Sequence, residues 1–591
     1  TLSGRAEVNI SNTATVAGNS QTFANKLNIN ATRSDTVDAE VYNLTLGLVG
    51  GVGAAVVTAQ NTGVARVRIG PNASTPANVF VLNLNTLVRD SGLVKSKAVG
   101  STGGIGLALN GVVSTARNNA RTEVLFTGAN IAATNISVNN DNRARSEATA
   151  TGVAVGAVAV GASVARSSTN ASATTRVNGN IIASNISFTT RFSDALGRNS
   201  YASAKSTSGG ILAGSGADAR AYLNYNILTE VGGNIAAGRN LTILSDAAGA
   251  SARSDASGKL GGAVAIGVVI SHAGQGGSGN PISGANVTTR IKDFATVYAG
   301  RTGRIEASNA PDIQAYSEAG SGGVLSGSGS EGRLTLNSVT LTEIGRRGTT
   351  STGDAMGIVV DDLTISAAHR ASLQGKVDSS NASLVGASGA DYRTRADAKV
   401  DLVFKSNSLV QAGEINISGV NAIKRPRNGW NVQSGSGGAL DVAAMISKVD
   451  VYADTNMTFA NGAKVQQISA PEDNRAFAMG LFTDIELIDR QRLDSGGAIA
   501  IPIGNSDVIV HRNNAIITIN DADILASGDL TIYSGGDAKL LSEVDTKSYG
   551  LAGAASSLTD ADYNADHSIL IKSGAKDRKS TRLNSSHRCI S

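Results

Sequence analysis

Residues 152–165 read GVAVGAVAVGASVA, a run that can be interpreted as a membrane helix, a buried helix or a pair of β-strands. The run is shorter than the roughly eighteen apolar residues that a membrane helix needs, and valine and glycine are poor helix formers. The valines alternate with alanine and glycine, and the alternation changes phase at Gly156 and Ala157. We therefore predict two short strands joined at a corner, with valine on one face and small residues on the other.

The composition of the 591 residues fits an all-β repeat protein. Glycine is abundant (69) and proline is scarce (7), as expected for long hydrogen-bonded ladders, where each proline would remove a donor. Aromatic residues make 4% and charged residues 17% of the chain, so aliphatic side chains must build the core. No sustained helical periodicity with caps occurs.

A four-residue phrase recurs: Asn, Asp or Glu, then an aliphatic, a polar and an aliphatic residue. Its copies are NISV (135–138), NISF (185–188), NLTI (240–243), a weaker DIQA (312–315), DLTI (362–365), EINI (414–417) and DLTI (529–532). They lie at intervals of roughly 50–55 residues, with one longer step that contains the loop-like segment 271–284 and another that spans two units. The two aliphatic residues of each copy share one face of a strand, and the residue between them faces water.

Glycine pairs open a second recurring element, a strand of small residues. Its copies are residues 50–57, 103–113, 209–219, 261–270, 322–329, 437–446 and 496–504. Glycine and alanine on facing strands would let two sheets approach closely. Stacking each strand on its copy at about 4.8 Å would give one continuous core, and the leading Asn or Asp side chains could stack as polar ladders.

These patterns predict an all-β fold, a right-handed parallel β-helix (β-solenoid) with degenerate repeats of roughly 50–55 residues over residues 1–576. Loop insertions are expected at 271–284 and 424–437. With roughly twenty residues per coil, the shaft would be a rod on the order of 100 Å or more. Neighbouring coils should cover Val153 and Val158.

Residues 577–591, DRKSTRLNSSHRCIS, resemble the in-frame translation of a DNA-sequencing adapter, and we exclude them from the fold. They contain four cationic residues and one anionic residue, so that without them the formal net charge falls from +4 to +1 and nothing favours a nucleic-acid partner. They also contain the only cysteine, Cys589. A chain without cysteine has neither disulfides nor thiolate metal sites, which suits export in an unfolded state. The chain begins within the pattern, without a signal peptide or membrane segment, and we expect an internal fragment.

Sequence motifs for chemistry are weak. Residues 327–332 match G-x-G-x-x-G, but a strand pattern follows where a dinucleotide site needs a helix. Residues 560–567 begin like a calcium loop but lack its glycine and closing glutamate. Asp361 and Asp362 adjoin a repeat phrase and are interpreted as structural. We predict no catalytic residue, no cofactor and no metal.

The histidines of residues 1–576 are scattered without metal-ligand spacing, and we expect them at the surface: His272, His369, His511 and His567.

The segment KRPRNGW (424–430) is a candidate ligand-contact loop. Its candidate contact residues are Lys424, Arg425, Arg427 and Trp430. Arginine and tryptophan can bind sulfated or anionic glycans. The alternative is a loop that only lengthens one coil.

The small-residue strands followed by the phrase I-x-A-x-N-[IL]-x-I resemble the repeat regions of large filamentous adhesins. These are the filamentous-haemagglutinin and leukotoxin-type exoproteins described as involved in heme utilization or adhesion. NIIASNISF (180–188) and NIAAGRNLTILSDA (234–247) carry the resemblance best, and its texture covers about residues 1–576. The resemblance implies two-partner secretion through an outer-membrane pore, a β-helical shaft, and adhesion or toxin-like virulence activity at the bacterial surface. Its implied partners are receptors or glycans of host or neighbouring cells, without membrane insertion.

We therefore expect a non-enzymatic structural and adhesive shaft of a large secreted, cell-surface adhesin. Two alternatives stay open. A β-helical polysaccharide-degrading enzyme would need acids and a cation grouped in one groove. A trimeric autotransporter-type adhesin is suggested by AVAIG (263–267), although that family's fourteen-residue period is missing.

Overall fold

The structure is a computed structural model that describes residues 2–8, 11–16, 21–70, 77–193, 198–276, 283–349, 355–426, 429–470, 473, 475–577 and 581–590. The fold is all-β, and these residues contain no α-helix.

The strands follow one another along the chain with short corners between them. They are β1 (Leu2–Val8), β2 (Ser11–Val16), β3 (Gln21–Arg33), β4 (Thr36–Gly47), β5 (Gly50–Asn61), β6 (Val64–Ile69), β7 (Ala77–Asp90), β8 (Leu93–Gly104), β9 (Leu107–Asn118), β10 (Arg121–Asn142), β11 (Arg145–Val155), β12 (Val158–Phe192), β13 (Ser200–Gly209), β14 (Leu212–Gly261), β15 (Val264–Gly274), β16 (Ala285–Ile291), β17 (Thr296–Ile344), β18 (Gly348–Thr349), β19 (Ala355–Met356), β20 (Ile358–Phe404), β21 (Leu409–Arg425), β22 (Val432–Phe459), β23 (Lys464–Gln467), β24 (Phe477–Ile519), β25 (Asp523–Leu525), β26 (Leu530–Gly553), β27 (Ser556–Ile571), β28 (Lys576–Asp577) and β29 (Thr581–Ile590).

Parallel pairing between successive coils joins 27 of these strands into one sheet, and this confirms the parallel β-solenoid. Stacked side chains in the sequence phrases lie one coil apart: Asn135 and Asn185 are 50 residues apart, Asn185 and Asn240 are 55, and Asn240 and Thr302 are 62. One repeat is therefore one coil. The expectation of twenty residues per coil is wrong, and the shaft is on the order of 50 Å long at about 4.8 Å per coil. The right-handed sense stays a prediction.

The pairing register locates the repeat boundaries. Tyr222 pairs with Gly274, but Tyr225 pairs with Ala285, so that the spacing between partners rises from 52 to 60 residues within segment 271–284. The interpretation of DIQA (312–315) as a copy of the repeat phrase is wrong, because Gly303 rather than Ile313 stacks on the NLTI phrase.

Two further boundaries concern the later coils. The long step after the EINI phrase does span two units, since Phe477 pairs with both Ile415 and Leu530. The backbone of β29 continues the ladder beside β26. That residues 577–591 are foreign to the chain stays a prediction.

Each coil folds into two lobes. Lobe A contains the repeat phrases, and their aliphatic side chains form one core that extends from Ile29 to Ile532. Lobe B contains the glycine-opened strands, which run outward and back around a tip, as β11 and the first part of β12 do at Gly156. Alanine dominates the core of lobe B in the earlier coils, and larger aliphatic residues join it in the later ones.

The two layers of lobe B lie close together because small residues face each other across it. A Cβ on Gly152 would lie 2.7 Å from the Ser163 Oγ on the opposite layer. Buried hydroxyl groups also pair across the lobe, as Ser146 and Ser167 do at 2.7 Å. The expectation that glycine and alanine allow close sheet packing is confirmed.

The corner predicted within residues 152–165 is confirmed, and its small-residue face is the buried one. Ala154 and Ala159 are fully buried in lobe B. Val153 and Val158 point to the outer face, where they are half-buried beside strands of the neighbouring coils. The neighbouring coils thus cover these valines only in part.

Successive coils approach each other closely at the glycine pairs of the lobe B tips. A Cβ on Gly210 would lie 1.9 Å from the carbonyl oxygen of Gly156 in the preceding coil, and a Cβ on Gly262 would lie 2.4 Å from that of Gly210. The same close approach recurs at Gly323, Gly438 and Gly497. Ser383 replaces glycine in one coil. A second glycine is therefore what avoids a backbone clash in the coils where the tips approach most closely, such as those of Gly210 and Gly323.

An asparagine ladder runs along lobe A, as the repeat phrases predicted. The Nδ2 of Asn135 donates to the Oδ1 of Asn83 at 2.9 Å, and Asn185 donates to Asn135 at 2.9 Å. Asn240 donates to Asn185 at 3.0 Å and accepts from the hydroxyl of Thr302 at 2.9 Å. Each amide donates to one coil and accepts from the next, which favours one register of stacking.

Candidate functional site

The predicted ligand-contact loop is not gathered on one surface. Lys424 is exposed and pairs with Asp484 at 2.8 Å. Arg425 is fully buried, Arg427 lies outside the described residues, and the half-buried ring of Trp430 stacks against the Arg490 guanidinium at 4.3 Å.

Arg425 is a structural residue of lobe B, which corrects its assignment as a contact residue. Its guanidinium lies 2.9 Å from the buried carboxylate of Asp489 and 4.6 Å from the ring centroid of Tyr392. Asp489 also accepts hydrogen bonds from Ser447 and Ser506 at 3.0 and 2.6 Å. Neighbouring residues on a strand point to opposite faces, so Lys424 faces solvent while Arg425 faces the core.

A stack of basic side chains, which the sequence analysis missed, is the better candidate for a binding surface. We call it the basic column. It contains one residue from each of six successive coils: Arg166, Arg220, His272, Arg333, Arg393 and Lys448. These residues are too far apart in the sequence to be recognised as a group without the coil length.

The upstream end of the basic column lines a groove of about 230 Å³ beside Arg117 and Tyr222. Downstream members are neutralised by acids two residues earlier on their own strands: Arg393 pairs with Asp391 at 2.8 Å, and Arg333 pairs with Glu331. Among the described residues, no carboxylate pairs with Arg117 or Arg166.

The charge of the groove is therefore concentrated in a few arginines. Arg220 is shared between the groove and Asp218, whose carboxylate lies 2.9 Å away. Burial between Arg220 and Arg333 lowers the pKa of His272 to about 4, so its imidazole is neutral at pH 7. Guanidinium groups at successive coils present planar donors about 4.8 Å apart. This arrangement can bind carboxylate or sulfate groups of an extended polymer.

The described residues contain no group of three or more His, Cys, Asp or Glu side chains that could hold a metal ion. Asp361 and Asp362 both pair with Arg475. Residues 327–332 and 560–567 lie within strands β17 and β27. All three features are parts of the coil scaffold.

The prediction that the histidines lie at the surface is wrong for His369 and His567, which are buried. The two ring nitrogens of His369 lie 2.8 Å from the Ser338 hydroxyl and 2.9 Å from the Asn421 amide oxygen. Burial lowers the pKa of His369 to about 4, so its ring is neutral at pH 7.

Comparison with known proteins identifies no relative. No family model, no curated protein and no solved structure matches the chain. The part of the chain that the structure describes has no helix that is long and apolar enough to cross a membrane.

Proposed function

We propose that this chain is a non-enzymatic structural and adhesive shaft of a large secreted adhesin. The observation that carries the proposal is the single ladder of parallel coils, whose lobe A core is continuous from Ile29 to Ile532. Such a stack holds surface groups at a fixed spacing along its length, which favours multivalent contact with an extended partner.

The cationic groove supplies the contact chemistry in this proposal. Arg117, Arg166 and Arg220 line it together with Tyr222. Guanidinium groups bind carboxylates and sulfates through paired hydrogen bonds, and an adjacent ring can stack on a sugar face. Anionic glycans on host or neighbouring cells are therefore the proposed ligands.

Binding to immobilised heparin, chondroitin sulfate and neutral dextran tests this function. We expect the chain to bind the two sulfated polymers and not dextran. The triple variant R117A/R166A/R220A should lose at least tenfold in affinity, because it removes the groove cations. The control R333A/R393A removes two acid-paired cations and should change affinity less than twofold. Equal binding to dextran, or equal loss in both variants, contradicts the groove assignment.

Export and display form the second part of the proposal, and the resemblance of the repeat phrases to filamentous exoproteins supports them. Antibodies raised against the folded chain should label intact cells of the source organism. Labelling that requires permeabilised cells contradicts surface display.

The same material tests the polysaccharide-degrading alternative. Incubation of the chain with uronate polymers should give no unsaturated product. Steady product formation contradicts a non-enzymatic role.

A further inference from the structure

The tips of lobe B expose a continuous line of aliphatic side chains. We call it the tip ladder, and it contains one residue from each of eight successive coils: Leu107, Val158, Leu212, Val264, Leu325, Val385, Leu440 and Ile499. Six of the eight are between 37% and 50% exposed, and Val158 and Val264 are half-buried. Single exposed aliphatic residues are common on protein surfaces, but a contiguous line of this length marks an interaction site.

The exposure follows from the geometry of lobe B. Its two layers lie close together and mostly small residues fill the space between them, as Gly152 and Ser163 show. Because side chains alternate along a strand, many of the larger aliphatic residues of the same strands point outward. Val155 and Val160 are accordingly 56% and 45% exposed.

The surface around the tip ladder is uncharged. Segments 103–113, 152–165, 209–217, 260–270, 319–330, 382–390, 434–446 and 495–506 contain a single charged residue, Asp441. Its carboxylate is buried and accepts a hydrogen bond from the Ser495 hydroxyl at 2.6 Å. The tips therefore present neither a cation nor an anion to a partner, which favours an apolar one.

We propose that a second copy of this chain covers the tip ladder, so that two shafts associate side by side. Eight coils at about 4.8 Å give a line about 34 Å long. The outward-facing positions beside the tip ladder on the same strands make the surface about 20 Å wide. The contact would then bury about 700 Å² on each copy, or about 1,400 Å² in total, within the range of stable protein interfaces. Another copy is also a partner whose side chains repeat at the same spacing.

The column of residues next to the tip ladder has a ridge and two notches that could interlock with a second copy. Ile266 projects from it and is 64% exposed, while Gly214 and Gly327 occupy the same position in the coils before and after. The two glycines leave notches on either side of a ridge. Ridges of one copy can enter the notches of the other, as side chains do between sheets in dry interfaces.

Sedimentation velocity on the C589S chain at 1–50 µM tests the proposal, which does not depend on the glycan-binding function. We expect a monomer–dimer equilibrium for C589S. The variant L212D/L325D/L440D should be monomeric at 50 µM, because three carboxylates would be buried without partners. The control L82D/I182D/Y298D changes equally exposed residues of lobe A and should dimerise like C589S. Circular dichroism verifies that all three chains remain β-folded.

Three outcomes overturn the proposal. If the C589S chain is monomeric at every concentration, a second copy does not cover the tip ladder. Oligomers that persist in L212D/L325D/L440D assign association to another surface, such as the open ends of the coil stack. A monomeric chain that floats with phosphatidylcholine vesicles, and loses flotation in the triple variant, assigns the tip ladder to lipid.

Cross-linking then defines the direction of the pair. Single cysteines at Leu107, Leu325 or Ile499 in C589S should form disulfide dimers, whereas a cysteine at Ile182 should not. Dimers at all three ladder positions indicate a parallel pair, and dimers at Leu325 alone indicate an antiparallel pair. If disulfide dimers form no faster with cysteines in the tip ladder than with a cysteine at Ile182, the result contradicts the interface.

Discussion

Replacing Gly210 with alanine should open the tip of lobe B, whereas the same change at the adjacent Gly209 should not. A Cβ on Gly210 would lie 1.9 Å from the Gly156 carbonyl oxygen, while a Cβ on Gly209 would meet nothing within 4 Å. The contact involves backbone atoms of two coils and cannot be relieved by a side-chain rotation. The tips must therefore separate by more than 1 Å, on the order of the overlap with a normal contact distance.

The cost can be worked from the bonds around the tip. Separation strains the hydrogen bond from the Gly156 N–H to the Gly209 carbonyl at 3.1 Å and the one from the Leu212 N–H to the Ala157 carbonyl at 2.9 Å. Two weakened hydrogen bonds at about 0.5–1.5 kcal/mol each, with about 1–3 kcal/mol of overpacking, give about 2–6 kcal/mol. Gly209→Ala should be neutral or stabilising by up to about 1 kcal/mol, because it restricts the unfolded chain.

Hydrogen–deuterium exchange is the suitable assay, because a stack of repeats need not unfold in one step. The amides of Gly156 and Leu212, which donate these two bonds, should exchange roughly 30-fold to 25,000-fold faster in Gly210→Ala, which is the conversion of about 2–6 kcal/mol. Those in Gly209→Ala should be unchanged or slower. Equal acceleration in both variants would refute the close approach of the tips.

Three further changes probe the core and the ladders. Asn185→Ala removes two rungs of the asparagine ladder and should cost about 1–2 kcal/mol of local stability by hydrogen exchange, whereas Ser184→Ala should cost less than half as much; equal costs contradict the ladder. His369→Asn should reduce the loss of stability at acidic pH. Because the folded-state pKa of His369, about 4, lies below the unfolded value, its contribution to stability is lost as pH falls from about 6.5 to 4. Chemical denaturation at pH 7 and 5 measures this loss, and a variant as pH-sensitive as the wild type contradicts it. Arg425→Met leaves a buried carboxylate unpaired and should cost about 3–5 kcal/mol in the same assay, against at most about 1 kcal/mol for Lys424→Met, whose ion pair is exposed; similar costs contradict the burial of Arg425.

Local patterns in the sequence were sufficient for the strands and for their stacking. The phase change at Gly156–Ala157 predicted the corner, and the repeated Asn135, Asn185 and Asn240 predicted the ladder, because both signals depend only on near neighbours and on recurrence. The coil length was misjudged, since a strand looks the same whether its copy lies 20 or 50 residues away.

The faces of the strands required the tertiary fold. Alternation identifies two faces of residues 152–165 but does not say which one is buried, and the small residues are inside because a second layer lies directly against them. Arg425 and His369 have polar side chains that usually lie at the surface, and both are buried here with partners from distant coils. The basic column could not be predicted from the sequence either, since its members become neighbours only after the chain has made a full coil.

The length of the coil is the claim on which the other conclusions rest, and a distance between two spin labels tests it directly. Thr115 and Asp507 lie in the same column seven coils apart, through the pairings of the basic column and its neighbours. Labels at these positions in the C589S chain should be separated by about 34 Å, at about 4.8 Å per coil. Coils of about twenty residues would place the same labels on the order of 95 Å apart, and a distance near that value would contradict the structure.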